Sequence, residues 1–262
     1  LFLICIFANK YNHLKEKIKI GAVSYLNTKP LLYGLERSSI KEDIILSTAY
    51  PAQLAAALKE QTIDLALLPV AAISSIPQAQ IIGNYGIAAD GDVASVALFS
   101  HVPLAAITHI YLDYQSRSSV RLTQELVSAH WKIAPEFIAA DTQYIASIQG
   151  TKAGVIIGDR ALQQLPNFPY VYDLSAAWKA FTGLPFVFAA WVSNRSLPAS
   201  FVEAFDEANA LGLQHLEEIV AAHPFPEYDL LHYYQKNIHY ELDENKRKGL
   251  DLFLKMISAD HG

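Results

Sequence analysis

Residues 18 to 35, IKIGAVSYLNTKPLLYGL, limit the possible folds more than any other stretch of the chain. The apolar, β-branched run Ile18, Ile20, Ala22 and Val23 predicts a strand. A polar turn, SYLNT, follows, and Lys29-Pro30 opens a helical run, LLYGL. Proline suits that first helical turn, where its missing N–H would have no partner in any case. The product is a strand, a polar loop and a helix N-terminus, with free backbone donors and a positive dipole end beyond the strand. Such a place suits an anion, above all a carboxylate.

The same unit recurs along the chain. Residues 44 to 46 predict a short strand, 51 to 58 (PAQLAAAL) a proline-started helix, 63 to 70 (IDLALLPV) a strand, and 71 to 73 a helical turn. Strand and helix in alternation imply a parallel sheet with right-handed crossovers. Ligands of such sheets collect at the carboxyl ends of the strands, where residues 24 to 28 and 69 to 72 would lie. Residues 84 to 92 (NYGIAADGD) read as a turn-rich interval before a strand over 93 to 99, and 107 to 113 as another strand. Ser116-Arg117-Ser118-Ser119 then precedes an amphipathic stretch from 120 to 131, with a serine as its natural N-cap. GVIIG (154 to 158) predicts a buried strand, and Asp159 begins a third unit. Further on, 187 to 192 read as a strand, 201 to 223 as one long helix and 233 to 255 as more helix.

The fold class that follows is α/β in two lobes. Residues 1–17 form an N-terminal extension, 18–92 plus 191–262 a discontinuous first lobe, and 93–190 the second. The chain crosses near residue 93 and returns near 190, and the polar loops line the cleft between lobes.

Composition narrows the function. With 52% hydrophobic and 18% charged residues the chain is globular rather than disordered. A net charge of −6 gives no general attraction for nucleic acid or an anionic membrane, so any favourable potential for an acid must be local. Cys5 is the one cysteine, which excludes an internal disulfide and a cysteine-rich metal site and is compatible with a cytoplasmic protein. The nine histidines fit no metal-ligand spacing, and neither a glycine-rich phosphate loop nor a G-x-S-x-G elbow occurs. The expectation is chemistry with no metal and no cofactor. The opening octet LFLICIFA is far shorter than the ~20 residues a membrane span needs. It reads as an extension in preference to a trimmed export signal, because no basic stretch precedes it and Ala8-Asn9-Lys10-Tyr11 makes a poor cleavage site. Oligomeric state is not readable from these residues.

Each candidate site residue has a plain structural alternative. Ser24, Tyr25, Asn27 and Thr28 form either a helix cap or a ligand loop, and Ser116, Ser118 and Ser119 carry the same ambiguity. Arg117 is a bidentate anion contact or a surface charge. Asp159 reads as a cap of the following helix before a ligand contact. Ser95, inside an apolar strand, needs a partner for its hydroxyl. Trp178, Phe181, Phe186 and Phe188 read as core. Repetition favours ligand binding, since several hydroxyl- and amide-rich loops all fall at sheet ends.

The strings VSYLNTKPLLYGL, DLALLPVAA, YGIAADGDVASVALFS, SRSSVRLTQELV, IIGDRAL and YDLSAAWKAFTGLPFVFAAW occur in order. From about residue 18 to the C-terminus they resemble the chorismate dehydratases of the futalosine route to menaquinone. Two strings depart from the usual pattern: Asp90-Gly91-Asp92 stands for DGP, and SRSS for SRTS. The resemblance implies the two-lobed fold of type II periplasmic binding proteins, a cytoplasmic hydro-lyase, and chorismate as a small-molecule substrate. It implies Asn27 and Ser95 as the catalytic pair, Asn27 near the reacting carbons and Ser95 orienting the substrate. Ser116, Ser118 and Ser119 would hold a carboxylate, with Ser24, Thr28, Arg117 and Asp159 also at the ligand and Tyr25 and Phe186 walling the ring. The competing implications are a non-catalytic solute-binding protein and the sibling 1,4-dihydroxy-6-naphthoate synthase.

Overall fold

The first strand, β1 (Ile18–Ala22), is buried along four of its five residues and pairs in parallel with β2 (Ile44–Thr48) and β3 (Leu65–Pro69). The structure is a computed structural model and describes residues 16–259. The expectation for the apolar octet falls outside those residues. Helix α1 (Lys29–Arg37) follows β1 after one 3-10 turn, and α2 (Pro51–Lys59) links β2 to β3, both with proline in the first turn. This is the parallel strand–helix–strand start that the sequence predicts.

The interval read as turns is instead mostly strand: β4 (Gln80–Ala89) runs for ten residues. Asn84 and Gly86 are poor strand formers alone, but β4 lies between two partners in the sheet, and that pairing overrides propensity. The chain then crosses to a second sheet through β5 (Val96–Ser100), β6 (His109–Leu112), α3 (Arg117–Glu125), β7 (Glu136–Ala139), β8 (Lys152–Ile157), α4 (Asp159–Gln164), β9 (Tyr170–Asp173) and α5 (Leu174–Thr182). It returns with β10 (Phe186–Ser193), whose partners β3 and β4 both belong to the first sheet. With β11 (His239–Glu241) at one edge of the first sheet, the strand orders are β11-β4-β10-β3-β1-β2 and β7-β6-β8-β5-β9. Both sheets are mixed: β10 is antiparallel to its neighbours in the first, and β5 to its neighbours in the second. We propose that the lobes divide at the two crossings, residues 90–95 and 174–185, which counts the whole of β10 with the first lobe.

The long helix expected over 201–223 is two, α6 (Ala199–Leu213) and α7 (Leu216–Ala222), broken at Gln214-His215. The C-terminal region is not continuous helix either. A short α8 (Leu230–His232) runs into a π-helical turn (Tyr233–Asn237), β11 (His239–Glu241) edges the first sheet, and α9 (Glu244–Ala259) closes the described chain.

Helices α1 and α6 touch backbone to backbone. A Cβ on Gly34 would lie 1.9 Å from the Ala208 carbonyl oxygen, and one on Gly212 would lie 1.7 Å from that of Pro30. Only glycine permits this approach, and it anchors the helix that carries the first polar loop. At the return crossing Trp178, Phe188 and Phe253 pack edge-on around Phe186, at centroid distances of 5.4, 4.7 and 4.9 Å. This cluster belongs to the main core and fixes where β10 re-enters the first sheet.

Candidate functional site

The polar loop after β1 turns sharply because the Thr28 N–H donates to the Tyr25 carbonyl at 3.1 Å, closing one 3-10 turn over Leu26–Thr28. Thr28 is wholly buried, and its hydroxyl donates to Asn27 Oδ1 at 3.2 Å. Behind the loop, Tyr240 of β11 donates to the Asn27 carbonyl at 2.9 Å. Asn27 is therefore held from two sides.

The second lobe presents two loops. Ser116 caps α3, its Oγ accepting from the Ser119 N–H at 3.1 Å and lying 2.9 Å from the Ser119 hydroxyl. Asp113, just before, is buried yet fully partnered. Its Oδ1 accepts from the Gln115 N–H at 2.7 Å, and its Oδ2 accepts from the Tyr144 hydroxyl and Arg160 Nη2, each at 2.8 Å. Burial, with Asp113 alongside, pushes the Tyr144 phenol well above its ordinary range. The other loop follows β8, where Gly158 takes φ +64° and donates its N–H to the Ser95 carbonyl at 2.7 Å. A side chain there would be strained, so glycine sets the direction of α4.

Asp159 does not cap α4; Gly158 holds that position. Its Oδ1 instead accepts from the Leu26 N–H of the opposite lobe at 3.1 Å. Burial raises its pKa above the usual carboxylate value, against the Leu26 N–H and Lys29, which lower it. The lobes also meet where the Tyr25 hydroxyl donates to Gln115 Oε1 at 3.0 Å and where the Ala71 N–H donates to Ser118 Oγ at 3.0 Å. Burial, then Asp113, push the Tyr25 phenol up to about 12, so it remains a donor.

Between these loops lie two chambers. The outer one, about 540 Å³, is lined by residues including Ser24, Tyr25, Tyr50, Gln115, Asp159 and Arg160. The inner one, about 60 Å³, is lined by residues including Asn27, Thr28, Ser116, Ser119, Gly158 and Phe188. Tyr25 and Gln115 border both.

Of the residues expected at the ligand, Ser24, Tyr25, Asn27, Thr28, Ser116, Ser119 and Asp159 come together here. Four do not line these chambers. Arg117 lines a separate cavity of about 500 Å³ with Ser74 and Arg121. Ser118 spends its Oγ on Ala71 in holding the lobes together. Phe186 is buried in the aromatic core, and Phe188, two positions on, reaches the inner chamber. Ser95 is fully buried behind the loop, its Oγ accepting from the Tyr233 hydroxyl at 2.7 Å. Sequence reasoning missed Gln115, Arg160, Tyr233 and Phe188. Gln115 and Arg160 sit directly beside residues it singled out, so extending each loop by one position would have found both. The two cleft loops also carry side chains with opposite duties, some facing the cavity and some joining the lobes.

Among the described residues no cluster of three or more His, Cys, Asp or Glu side chains is placed to hold a metal ion, and no helix is long and apolar enough to cross a membrane.

The chain is similar to the chorismate dehydratase of Thermus thermophilus, 28% identical over an alignment of 269 positions that covers 91% of this chain and 94% of that protein. It is also similar to the chorismate dehydratase of Campylobacter jejuni, 26% identical over 62% of this chain and 75% of that protein. Among solved structures it superposes on a protein of Archaeoglobus fulgidus with a TM-score of 0.76 at 13% identity, covering 95% of this chain and 99% of that one. The periplasmic aliphatic sulphonate binding protein SsuA of Escherichia coli gives a TM-score of 0.66 at 14% identity, covering 95% and 88%. These structural likenesses establish the two-lobed, periplasmic-binding-protein-like fold. The menaquinone biosynthesis family matches residues 18–259, and the chain belongs to it.

Proposed function

We propose that this protein is a chorismate dehydratase, a carbon–oxygen hydro-lyase that removes water from chorismate to give 3-[(1-carboxyvinyl)oxy]benzoate. The observation that carries the reading is the likeness to the Thermus chorismate dehydratase across nine-tenths of the chain. The cleft suits such a substrate, because it offers the carboxamides of Asn27, Gln53 and Gln115, several hydroxyls and one guanidinium.

The reaction asks little acid–base chemistry of the protein. Removal of the ring proton beside the ether oxygen leaves a carbanion that delocalises through the diene into the ring carboxylate. The C–O bond to the neighbouring hydroxyl then breaks and the ring becomes aromatic; the departing hydroxide becomes water by taking up the proton that the base removed. The substrate's enolpyruvyl carboxylate is in reach to take the ring proton itself. The protein then fixes one conformer and stabilises charge as it develops. In this scheme Asn27 donates to the substrate near the reacting carbons, and Ser116 and Ser119 hold a carboxylate at the start of α3. Ser24, Thr28 and Asp159 supply further polar contacts, and Tyr25 and Phe188 border the ring. Ser95 is a positioning residue that acts through the Tyr233 hydroxyl, which hydrogen-bonds both Ser95 and the Asn27 side chain. The reading places the protein in the cytoplasm, with a small-molecule substrate and no cofactor.

Incubation of the purified chain with chorismate, followed by ultraviolet absorbance and mass, tests the proposal. A new aromatic product 18 mass units lighter is expected. Tight binding of chorismate with no turnover would favour a solute-binding protein instead. Chorismate left untouched, with turnover of a cyclic futalosine derivative, would favour the sibling synthase.

A further inference from the structure

Arg160 lines the outer chamber, and its position is fixed from behind. Nη2 is committed to Asp113 Oδ2 at 2.8 Å and to Gln115 Oε1 at 3.0 Å. Asp113 is itself immobilised by Tyr144 and by the Gln115 N–H. The Tyr114 ring flanks the guanidinium, 5.1 Å from the ring centroid to Cζ. Nε and Nη1 make no hydrogen bond among the described residues, although the side chain is only 26% exposed. A rigid, partly desolvated guanidinium with three N–H groups unspent suits a carboxylate.

We infer that Arg160 is the specificity-determining contact for the ring carboxylate of the substrate, which seats that end of the molecule in the outer chamber. This rests on the dehydratase reading and adds an orientation to it. The choice between the two carboxylates follows from the chemistry. Negative charge grows on the ring carboxylate as the proton leaves, so a cation there binds the transition state more tightly than the ground state. A cation on the enolpyruvyl carboxylate would do the opposite, lowering the basicity of the group that takes the proton. The inner chamber, with its hydroxyls, the carboxamides of Asn27 and Gln115 and no cationic side chain in its lining, then receives the reacting carbons and the carboxylate that acts as base.

The test uses the full chain, the product 3-[(1-carboxyvinyl)oxy]benzoate and its two monomethyl esters, with binding measured by calorimetry. Wild-type protein is expected to bind the product and the ester that keeps the ring carboxylate free. Arg160→Gln is expected to weaken both by about 30-fold, the value of one charge-assisted pair. The ester that masks the ring carboxylate should bind the variant and the wild type equally. Turnover of chorismate should fall in kcat as well as in kcat/KM, with Arg160→Lys between the two. Because Arg160→Gln leaves Asp113 unpaired, Asp113→Asn/Arg160→Gln removes both charges and should give the same ligand pattern in a folded protein. Equal weakening of all three ligands, or a loss that follows the enolpyruvyl carboxylate, overturns the inference while the wild type still turns over chorismate. A wild type that binds none of the three and leaves chorismate unchanged overturns the dehydratase reading instead.

Discussion

On the first-lobe side of the cleft Asn27 and Thr28 are secured by neutral groups: a backbone turn, the Thr28 hydroxyl and the phenol of Tyr240. Among the described residues, charge touches that loop only at Ser24, through Lys29, and at the Leu26 N–H. The facing loops of the second lobe are secured by charge. Asp113 binds Tyr144 and Arg160, Asp159 reaches across to the Leu26 N–H, and Asp173 ties the first crossing to α5. A neutral wall can sit against the carbon that loses its proton without competing for that proton. A charged wall costs desolvation and repays it by fixing where an anion can sit. On the dehydratase reading proposed above, the contrast points to bond-breaking at the first lobe and orientation at the second.

The largest effect should come from the neutral wall. Asn27→Ala is expected to cut chorismate turnover by about 10²–10³-fold, the usual cost of one oriented donor at developing charge, and to cost about 1–3 kcal/mol of stability because the buried Thr28 hydroxyl loses its acceptor. Steady-state kinetics beside a thermal melt would check both halves. Turnover within about threefold of wild type would break the comparison, because the carboxamide would then not contribute to the chemistry.

Charge in the second lobe should also show itself in the pH dependence of stability, at Asp173 beside the first crossing, away from the chamber linings. Asp173 accepts from the Ala94 N–H at 2.8 Å, where Ala94 holds φ +60° at the crossing, and from the Ser175 and Ala176 N–H groups at the start of α5. Burial raises its pKa from 3.8 to about 6, although the amide donors pull it down. The folded chain therefore binds more protons than the unfolded chain between those two values. The contribution of Asp173 to stability is greatest below about pH 4 and is lost as pH rises to about 6, amounting to up to about 3 kcal/mol. Urea midpoints measured every half unit from pH 4 to 7 should show that decline in the wild type. In Asp173→Asn the slope should largely vanish. An identical slope in both proteins would place the titrating group elsewhere.

How far the sequence disclosed this arrangement depends on the range of the contacts. The strand–loop–helix units and the polar residues on them are local patterns, and β1, the loop and α1 came directly from the spacing of Ile18, Ile20 and Pro30. β4 was misread because Asn84 and Gly86 carry turn chemistry that pairing with β10 and β11 overrides. The aim of each side chain was also hidden. Ser118 and Ser119 are adjacent in sequence, yet one joins the lobes and the other faces the cavity. Tyr233 gave no signal at all. Its partner is 138 residues away, and the π-helical turn that places it has no hydrophobic period to read.

That distant contact offers the finest test of the neutral wall. The Tyr233 hydroxyl donates to Ser95, Asn237 of the same turn donates to the Asp92 carbonyl at 3.0 Å, and Tyr240 holds Asn27. One C-terminal segment thus braces both the crossing and the loop. Burial keeps the Tyr233 phenol protonated far above its ordinary range, so it stays a donor at any working pH. Tyr233→Phe removes that donor without leaving a cavity and is expected to cost about 1–2 kcal/mol of stability. Turnover should fall only about tenfold, because the Thr28 hydroxyl and Tyr240 still hold Asn27. Ser95→Ala should produce a similar loss, and the double variant should lose no more than either alone, since the two hydroxyls serve one hydrogen bond. If Ser95→Ala instead lowers turnover far beyond Tyr233→Phe, and the double variant follows Ser95→Ala, then Ser95 meets the substrate directly and the first-lobe wall has a second reacting contact beside Asn27.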